Sequence, residues 1–404
     1  MKKIPITNIK ITKLFREFYE SEKTSGLLLM LCTVISLVMA NSYFGPAYLN
    51  FWETKIGFTT DVVKLYYPVN YWINDGLMAI FFLLIGLEIE REIYIGELSD
   101  LNVAMFPIVA AAGGIIVPSL IHFSLNAGTE TQSGMAIPMA TDIAFALGIL
   151  SLLGNKVPVR IKVFLTALAI ADDLGAIIII AIFYSKGFSI FHFSMAIVLF
   201  LIMLVMNRKK VNILYLYLII GVIMWYFMLK SGVHATIAGV LLAFAIPFGK
   251  GDSQSISYKL QHGLHKPIAF IVLPLFALAN TGIVLSGDWT SGFLNSNTIG
   301  IMAGLFIGKP AGIFLFSYLS VKTGIVKIID KPDWKNIFGA GILGGIGFTM
   351  SIFITLLAFE RNENIINSKI AILISSLIAG ITGFLVLKFN NRKDKNDYSK
   401  TVSE

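Results

Sequence analysis

What this 404-residue chain has little of is charge and cysteine. Asp, Glu, Lys and Arg together make up 14% of it and hydrophobic residues 56%, whereas soluble domains carry about 25% charged residues. A soluble fold of this length could not coat its core with so few polar side chains, so the composition defines an integral membrane protein. The single cysteine, Cys32, lies inside an apolar run, which excludes intrachain disulfides and reads as packing. HExxH and GxSxG are both missing, and the five histidines are scattered. No enzyme activity, no metal cage and no resident cofactor are therefore expected. The first twenty-odd residues are basic and lack an apolar core, so no cleavable signal peptide is expected either.

Apolar runs of membrane width, about 17–25 residues, recur twelve times. They cover roughly 25–42, 71–90, 103–124, 135–154, 161–184, 190–206, 211–229, 232–248, 266–286, 298–320, 336–358 and 367–388. The expected fold is all-α and polytopic, with 12 transmembrane helices. It forms one transmembrane domain over 25–388, with short solvated tails at 1–24 and 389–404. An even number of crossings puts both tails on one face. Of the 32 Lys and Arg residues, 25 fall on the tails' side and 6 on the other, while Lys309 lies within a span. By the positive-inside rule the tails' face is cytoplasmic. The formal net charge of +8 is thus a topology signal, and nucleic-acid binding drops out.

Against that scarcity, charges at membrane depth stand out. In LTALAIADDLGAIIIIAIFY (165–184), which has no Lys, Arg or Glu, Asp172 and Asp173 are neighbours. One carboxylate at a spanning helix centre costs about 2.5–3.5 kcal/mol on insertion scales, and such groups mark ion or proton pathways. Asp142 and Lys309 lie as deep, with Asp75, Glu88 and His234 shallower. Adjacent helical residues point about 100° apart, so one Asp can turn to a neighbouring helix while the other faces a cavity. Lys309 is the natural partner for one of them. Two nearby carboxylates titrate as a coupled pair that can hold protons or surrender them to a cation, and that competition suffices for exchange. Oxygen donors suit a hard ion such as Na⁺ or Li⁺. A structural Asp172–Lys309 ion pair is the competing reading, but it leaves Asp142 and Asp173 without a role.

Two spans carry interruption signals. In GMAIPMATDIAFALG (134–148), Pro138 precedes Thr141 and Asp142, residue types that favour helix starts. GAGILGGIGFTMSIF (339–353) sets five glycines ahead of Thr349 and Ser351, with GxxxG-type packing through Gly341 and Gly345 as the alternative. Broken helices in corresponding positions of two repeats point to a secondary transporter's site. The fourth and eleventh spans are therefore expected to be interrupted and to cross, within candidate inverted repeats over about 103–184 and 298–388. Facing half-helix N-termini would want an anion and facing C-termini a cation; Asp142 and Lys309 are the candidates.

The segments WINDGLMAIFFLLIGLEIERE, MATDIAFALGIL, LTALAIADDLGAI, SGVHATIAGV, LPLFALANTGI, GKPAGI and GGIGFTMSIF resemble bacterial NhaA-type sodium/proton antiporters, from the second span to the eleventh. The resemblance implies an inverted-repeat fold with crossed, interrupted helices. It also implies electrogenic Na⁺(Li⁺)/H⁺ antiport with two protons per cation, activated at alkaline pH. The setting would be the bacterial cytoplasmic (inner) membrane, and the task pH and sodium homeostasis. By position, Asp173 would bind the cation, while Asp172 would pair with Lys309 and share in proton carriage. Thr141 and Asp142 would lie on the unwound fourth span beside the ion path. His234 matches a histidine linked to pH response, and Glu88, Arg91, Glu92, His262 and His265 match a cytoplasmic pH-sensing cluster. Gln261 departs from that cluster, where better-known members have a glutamate; glutamine cannot titrate, so a shifted pH profile is expected. The external loop over 42–70 is implied to form a hairpin for homodimer contact, with a place on the membrane surface as the alternative. A sodium-coupled symporter of a small organic anion would want a roomier pocket with extra polar residues, and the sequence shows no such surplus. A channel fits less well still, because a coupled Asp–Asp–Lys set binds ions too firmly for fast passage.

Overall fold

The computed structural model describes residues 13–401 except 62–63, 97, 186, 286–290 and 327–331. The start of the N-terminal tail, the last three residues and the cations Lys2, Lys3, Lys10, Lys186, Lys327 and Lys331 therefore lie outside the described residues. Helix α1 (Lys13–Ala40) turns through 113° into the short α2 (Gly45–Glu53). An antiparallel hairpin follows, β1 (Lys55–Thr59) on β2 (Lys64–Pro68), in the register Lys55↔Pro68 to Thr59↔Lys64. The 42–70 loop thus contains a hairpin. The Lys230 ammonium fastens it, donating to the Tyr67 hydroxyl at 3.0 Å and lying over the Tyr67 and Tyr226 rings.

Next come α3 (Val69–Tyr94), α4 (Leu101–Asn126), and a 3₁₀ segment (Gln132–Met139) leading into α5 (Ile143–Leu152). They are followed by α6 (Val159–Phe183), α7 (Ile190–Arg208), α8 (Leu214–Ser231), α9 (Ile237–Ala245) and α10 (Ile256–Asn280). The chain ends with α11 (Ser296–Lys322), α12 (Trp334–Gly344), α13 (Phe348–Ala358) and α14 (Asn362–Thr401). Every one of the twelve apolar runs contains helix. Among the described residues, nine helices are long and apolar enough to cross a membrane, or eleven if each of two bent pairs counts as one span. The eighth run falls short. Gly232 ends α8 in the left-handed region at φ +83°, and only the nine residues of α9 stay helical. Nine residues rise about 14 Å, half of a hydrocarbon core. At the termini the helices run on: α1 starts at Lys13 and α14 continues to Thr401, inside the segments expected as tails. Glu- and Lys-rich sequence is a good helix former, so these helices extend beyond their apolar stretches.

The main core draws on α1, α3 to α6 and α9 to α14, with Leu29, Phe82, Leu147, Leu165, Phe276, Ile313 and Phe353 buried in it. A smaller cluster, including Leu87, Met203, Tyr217, Met224 and Leu242, joins α3, α7, α8 and α9. Helices α7 and α8 are peripheral, with 11% and 28% of their spans buried. Their outer faces expose Leu201, Val205, Ile219 and Val222, an apolar surface suited to lipid. At the centre, α4 and α11 touch backbone to backbone. A Cβ on Gly113 would lie 2.2 Å from the Gly312 carbonyl oxygen, and one on Gly312 would lie 2.2 Å from that of Gly113. Only glycine allows this approach, and it sets the position of Lys309, three residues earlier on α11. Replacing Gly312 by Val is expected to force the two helices apart and lower the thermal midpoint of the purified protein by about 3–8 °C. A melting curve superimposable on wild type would contradict the close packing.

Candidate functional site

The fourth span breaks after Pro138. Pro138 has no N–H to donate, and the 3₁₀ segment containing it gives way to extended backbone at Ala140 (ψ 147°) and Asp142 (ψ 99°). Asp142 then caps α5, accepting from the Phe145 N–H at 3.0 Å. The eleventh span breaks at Gly345–Gly347, where α12 and α13 meet at a bend of 46°. The two breaks face each other. The Asp142 N–H donates to the Ile346 carbonyl at 2.7 Å, and the Ser351 hydroxyl donates to the Ile137 carbonyl at 2.7 Å. Backbone and side-chain groups at the broken ends are thereby satisfied across the junction, as apolar surroundings require.

Four ionisable residues gather around this junction, and each is matched differently. Asp142, 2% exposed, receives the N–H of Thr349 at 3.0 Å and its hydroxyl at 2.5 Å, in the first turn of α13. Two helix N-termini thus converge on one carboxylate, each carrying about half a positive charge. Lys309 is fully buried, preceded by a π turn over Gly304–Gly308 and followed by Pro310. The missing Pro310 N–H and the widened turn go together. The Lys309 ammonium lies 2.7 Å from Asp172 Oδ2 and also donates to the Met139 carbonyl, at the C-terminal end of the 3₁₀ segment. Asp172 Oδ2 further lies 2.7 Å from the Thr141 hydroxyl, whose one proton serves either this oxygen or the Gly344 carbonyl at 2.8 Å. Asp172 Oδ1 is buried with no hydrogen-bond partner among the described residues.

Asp173 is left short. It is 5% exposed and accepts no hydrogen bond among the described residues. The charges that act on it are those of Asp172, Glu88 of α3, Asp142 and Lys309, three of the four being negative. Three buried aspartates therefore share one ammonium. Helix dipoles cover Asp142 and Lys309 covers Asp172, so the deficit falls on Asp173.

The remaining residues singled out from the sequence lie elsewhere. Arg91, at the end of α3, places its guanidinium over the Tyr258 ring at 5.6 Å, and Tyr258 stacks on His262 at 6.2 Å. His262 and Lys266 are the titratable neighbours of His265. Glu92 and Gln261 are half-buried near these groups in sequence. Glu88 acts on Asp173 from the same helix that carries Arg91 and Glu92. His234 sits apart, in the turn before α9, with its ring edge-on to Phe353 of α13 at 6.4 Å. Asp75 lies in a π turn over Trp72–Leu77, and its carbonyl accepts from the Trp225 indole at 3.3 Å. The carbonyls of Met139, Gly344 and Ile346 were not legible, because a backbone acceptor leaves no trace in residue type. Thr349, just past the glycine run, was the available signal for the second helix start at Asp142.

Together these features define a multi-pass membrane protein with a buried, charge-deficient site where two broken helices meet. The Na⁺/H⁺ antiporter 1 family matches residues 16–387, and the chain belongs to that family. It is 60% identical over 381 residues to the Na⁺/H⁺ antiporter NhaA of Flavobacterium psychrophilum, covering 94% of this chain and 97% of that protein. Identity to the Na⁺/H⁺ antiporter NhaA of Cytophaga hutchinsonii is 56% over 380 residues, with 94% and 96% covered. Identity to that of Dechloromonas aromatica is 56% over 392 residues, with 96% and 99% covered. One test addresses the junction itself. Thr349→Val removes a hydroxyl donor to a buried carboxylate, a bond worth about 1.5–3 kcal/mol, and is expected to lower the thermal midpoint by several degrees. Thr349→Ser, which keeps the hydroxyl, should melt closer to wild type; equal losses in both would mean the hydroxyl is idle.

Proposed function

We propose that this protein is an electrogenic antiporter that moves Na⁺ or Li⁺ out of the cell in exchange for protons, two per cation. The supporting observation is the unmatched Asp173 beside the Asp172–Lys309 pair. A carboxylate with no hydrogen bond, and with its nearest ammonium already paired to another acid, is stable at membrane depth only when a proton or a cation neutralises it. Asp172 Oδ1, also unpartnered, is close at hand as a second oxygen donor. Cation binding then competes with protons for both carboxylates, and the Thr141 hydroxyl can turn to the Gly344 carbonyl when Asp172 needs its oxygen. Discharging two protons against one cation moves net charge in each cycle, so the membrane potential can drive extrusion.

The same reading assigns twelve crossings, with α9 and its flanking turns as the eighth and the broken helices crossing at mid-membrane. Both termini lie in the cytoplasm of a bacterium, under the inner membrane. The Arg91–Tyr258–His262 group, with Glu88, Glu92 and His265, adjusts activity to cytoplasmic pH, and His234 contributes from the opposite side of the site. The hairpin serves contact between two copies. Roles for Asp142 and Lys309 follow from charge compensation: one steadies the helix N-termini, the other the C-terminal carbonyl and Asp172.

Na⁺-dependent dissipation of a pH gradient in proteoliposomes tests the exchange. Asp173→Asn and Asp172→Asn are each expected to slow it by about 100-fold or more, and normal exchange in both would exclude the mechanism. A second comparison concerns regulation. Activity profiles of wild type and Gln261→Glu between about pH 6.5 and 9 are expected to be displaced from one another, since the variant adds a titrating group to the cytoplasmic cluster; superimposable profiles would dismiss a sensing role there.

A further inference from the structure

A second buried polar cluster lies where α4 ends, at the face opposite Arg91 and His262. His122 of α4 is fully buried. Its Nε2 lies 3.0 Å from Asn297 Oδ1 at the start of α11, and the Asn297 amide nitrogen donates to the Ser368 hydroxyl of α14 at 2.8 Å. That second bond turns Asn297 Oδ1 toward the ring as an acceptor, so Nε2 carries the imidazole hydrogen. Nδ1 is then a bare lone pair, and it is buried with no hydrogen-bond partner among the described residues. Asn126, one turn on, donates to the His122 carbonyl at 2.9 Å and the Ser296 carbonyl at 3.0 Å. The result is a strut between α4, α11 and α14.

This strut bears on the broken fourth span. A Cβ on Gly134 of the 3₁₀ segment would lie 3.1 Å from the imidazole Cε1 and 3.2 Å from Asn297 Oδ1. Further along, a Cβ on Gly304 of α11 would lie 2.6 Å from Pro138, and the next residue, Met139, offers its carbonyl to Lys309. The 3₁₀ segment and α11 therefore run side by side, with the His122–Asn297 contact at one end and Lys309 at the other. The strut sets their register.

We propose that His122 is a positioning residue for the ion site that works only as the neutral Nε2–H imidazole, and that proton uptake at Nδ1 releases the strut. A proton there places a charge and an unmatched donor in a buried niche, with Gly134 against Cε1, the ring carbon next to Nδ1. That cost is relieved when the niche opens to water, so protonation and loosening of the 3₁₀ segment favour each other. The charged groups on the elements packed around the ring make no hydrogen bond to Nδ1 among the described residues. Glu130 and Arg361 pair with each other at 2.5 Å, Lys309 is turned to Asp172, and Glu360, Glu363 and Lys369 are the other charged groups on the neighbouring elements. The polar side chain that acts on the ring is that of Asn297. His122 thus supplies a proton input on the external face, separate from Asp172 and Asp173. It deepens the antiport reading, yet its structural half can be tested without transport.

Hydrogen exchange of residues 132–139 in the purified protein, expressed as protection, reads the strut directly. Wild-type protection is expected to fall about tenfold between about pH 7.5 and 4.5. His122→Gln keeps a donor for Asn297 but takes no proton, and its protection should stay within about twofold over the same range. A parallel fall in His122→Gln, or no fall in wild type, would overturn the proposal. Imidazole ¹⁵N shifts of labelled wild type decide the matter without any variant. A bare Nδ1 near neutral pH that gains its hydrogen as protection is lost supports the strut; a hydrogen already on Nδ1 overturns it. In oriented vesicles, acidifying the external face should slow Na⁺/H⁺ exchange several-fold more in wild type than in His122→Gln, and equal slowing counts against the proposal. Exchange absent from wild type at every pH would instead remove the antiport reading, with the protection result unaffected.

Discussion

A carboxylate held away from water must be matched by a proton, a cation or the positive end of a dipole, and the centre of this molecule is organised by that demand. Asp142 is matched by two helix N-termini and the Thr349 hydroxyl. Asp172 is matched by the Lys309 ammonium. Once these two are settled, the remaining ammonium and dipoles are spent, and Asp173 has neither. In water such an imbalance would be unimportant. In a bilayer each unmatched charge is costly enough to decide which ions can stay.

Breaking two helices is what makes that matching possible. A continuous helix hides its N–H and C=O groups in its own ladder, whereas each interruption exposes a few of each. Here the donors are turned to Asp142 and the acceptors of Met139 and Gly344 to Lys309 and Thr141. Pro138, Gly345 and Gly347 permit the breaks, and the Gly113–Gly312 contact brings α11 close enough for its lysine to reach the 3₁₀ segment. The peripheral helices α7 and α8 take no part in this and present apolar side chains outward.

Much of this was legible from residue types, and the limits follow a pattern. Membrane residence follows from composition, and the helical runs from their length, because lipid admits few alternatives to a helix. The interruptions were marked by Pro138 with Asp142 and by the glycines before Thr349. The eighth run was less faithful: it was read as starting at Gly232, but the left-handed Gly232 closes α8 and the next helix covers only Ile237–Ala245. A running average of hydropathy does not register one backbone dihedral. The His122–Asn297–Ser368 contact was invisible, since its members are 175 and 71 residues apart and each is an ordinary residue alone.

The chain by itself therefore determined that this is a membrane protein, where its helices lie, and which few charges are buried among them. Those properties depend on what a residue is and on its near neighbours. Read residue by residue, the chain left open which aspartate meets Lys309, and only the family resemblance assigned Asp172. Tertiary structure supplied the contact itself, the helix ends around Asp142 and, among the described residues, the lack of a hydrogen bond at Asp173. Compensation of charge is a matter of distance and direction in space, and in a folded chain these are set by contacts between segments far apart in sequence.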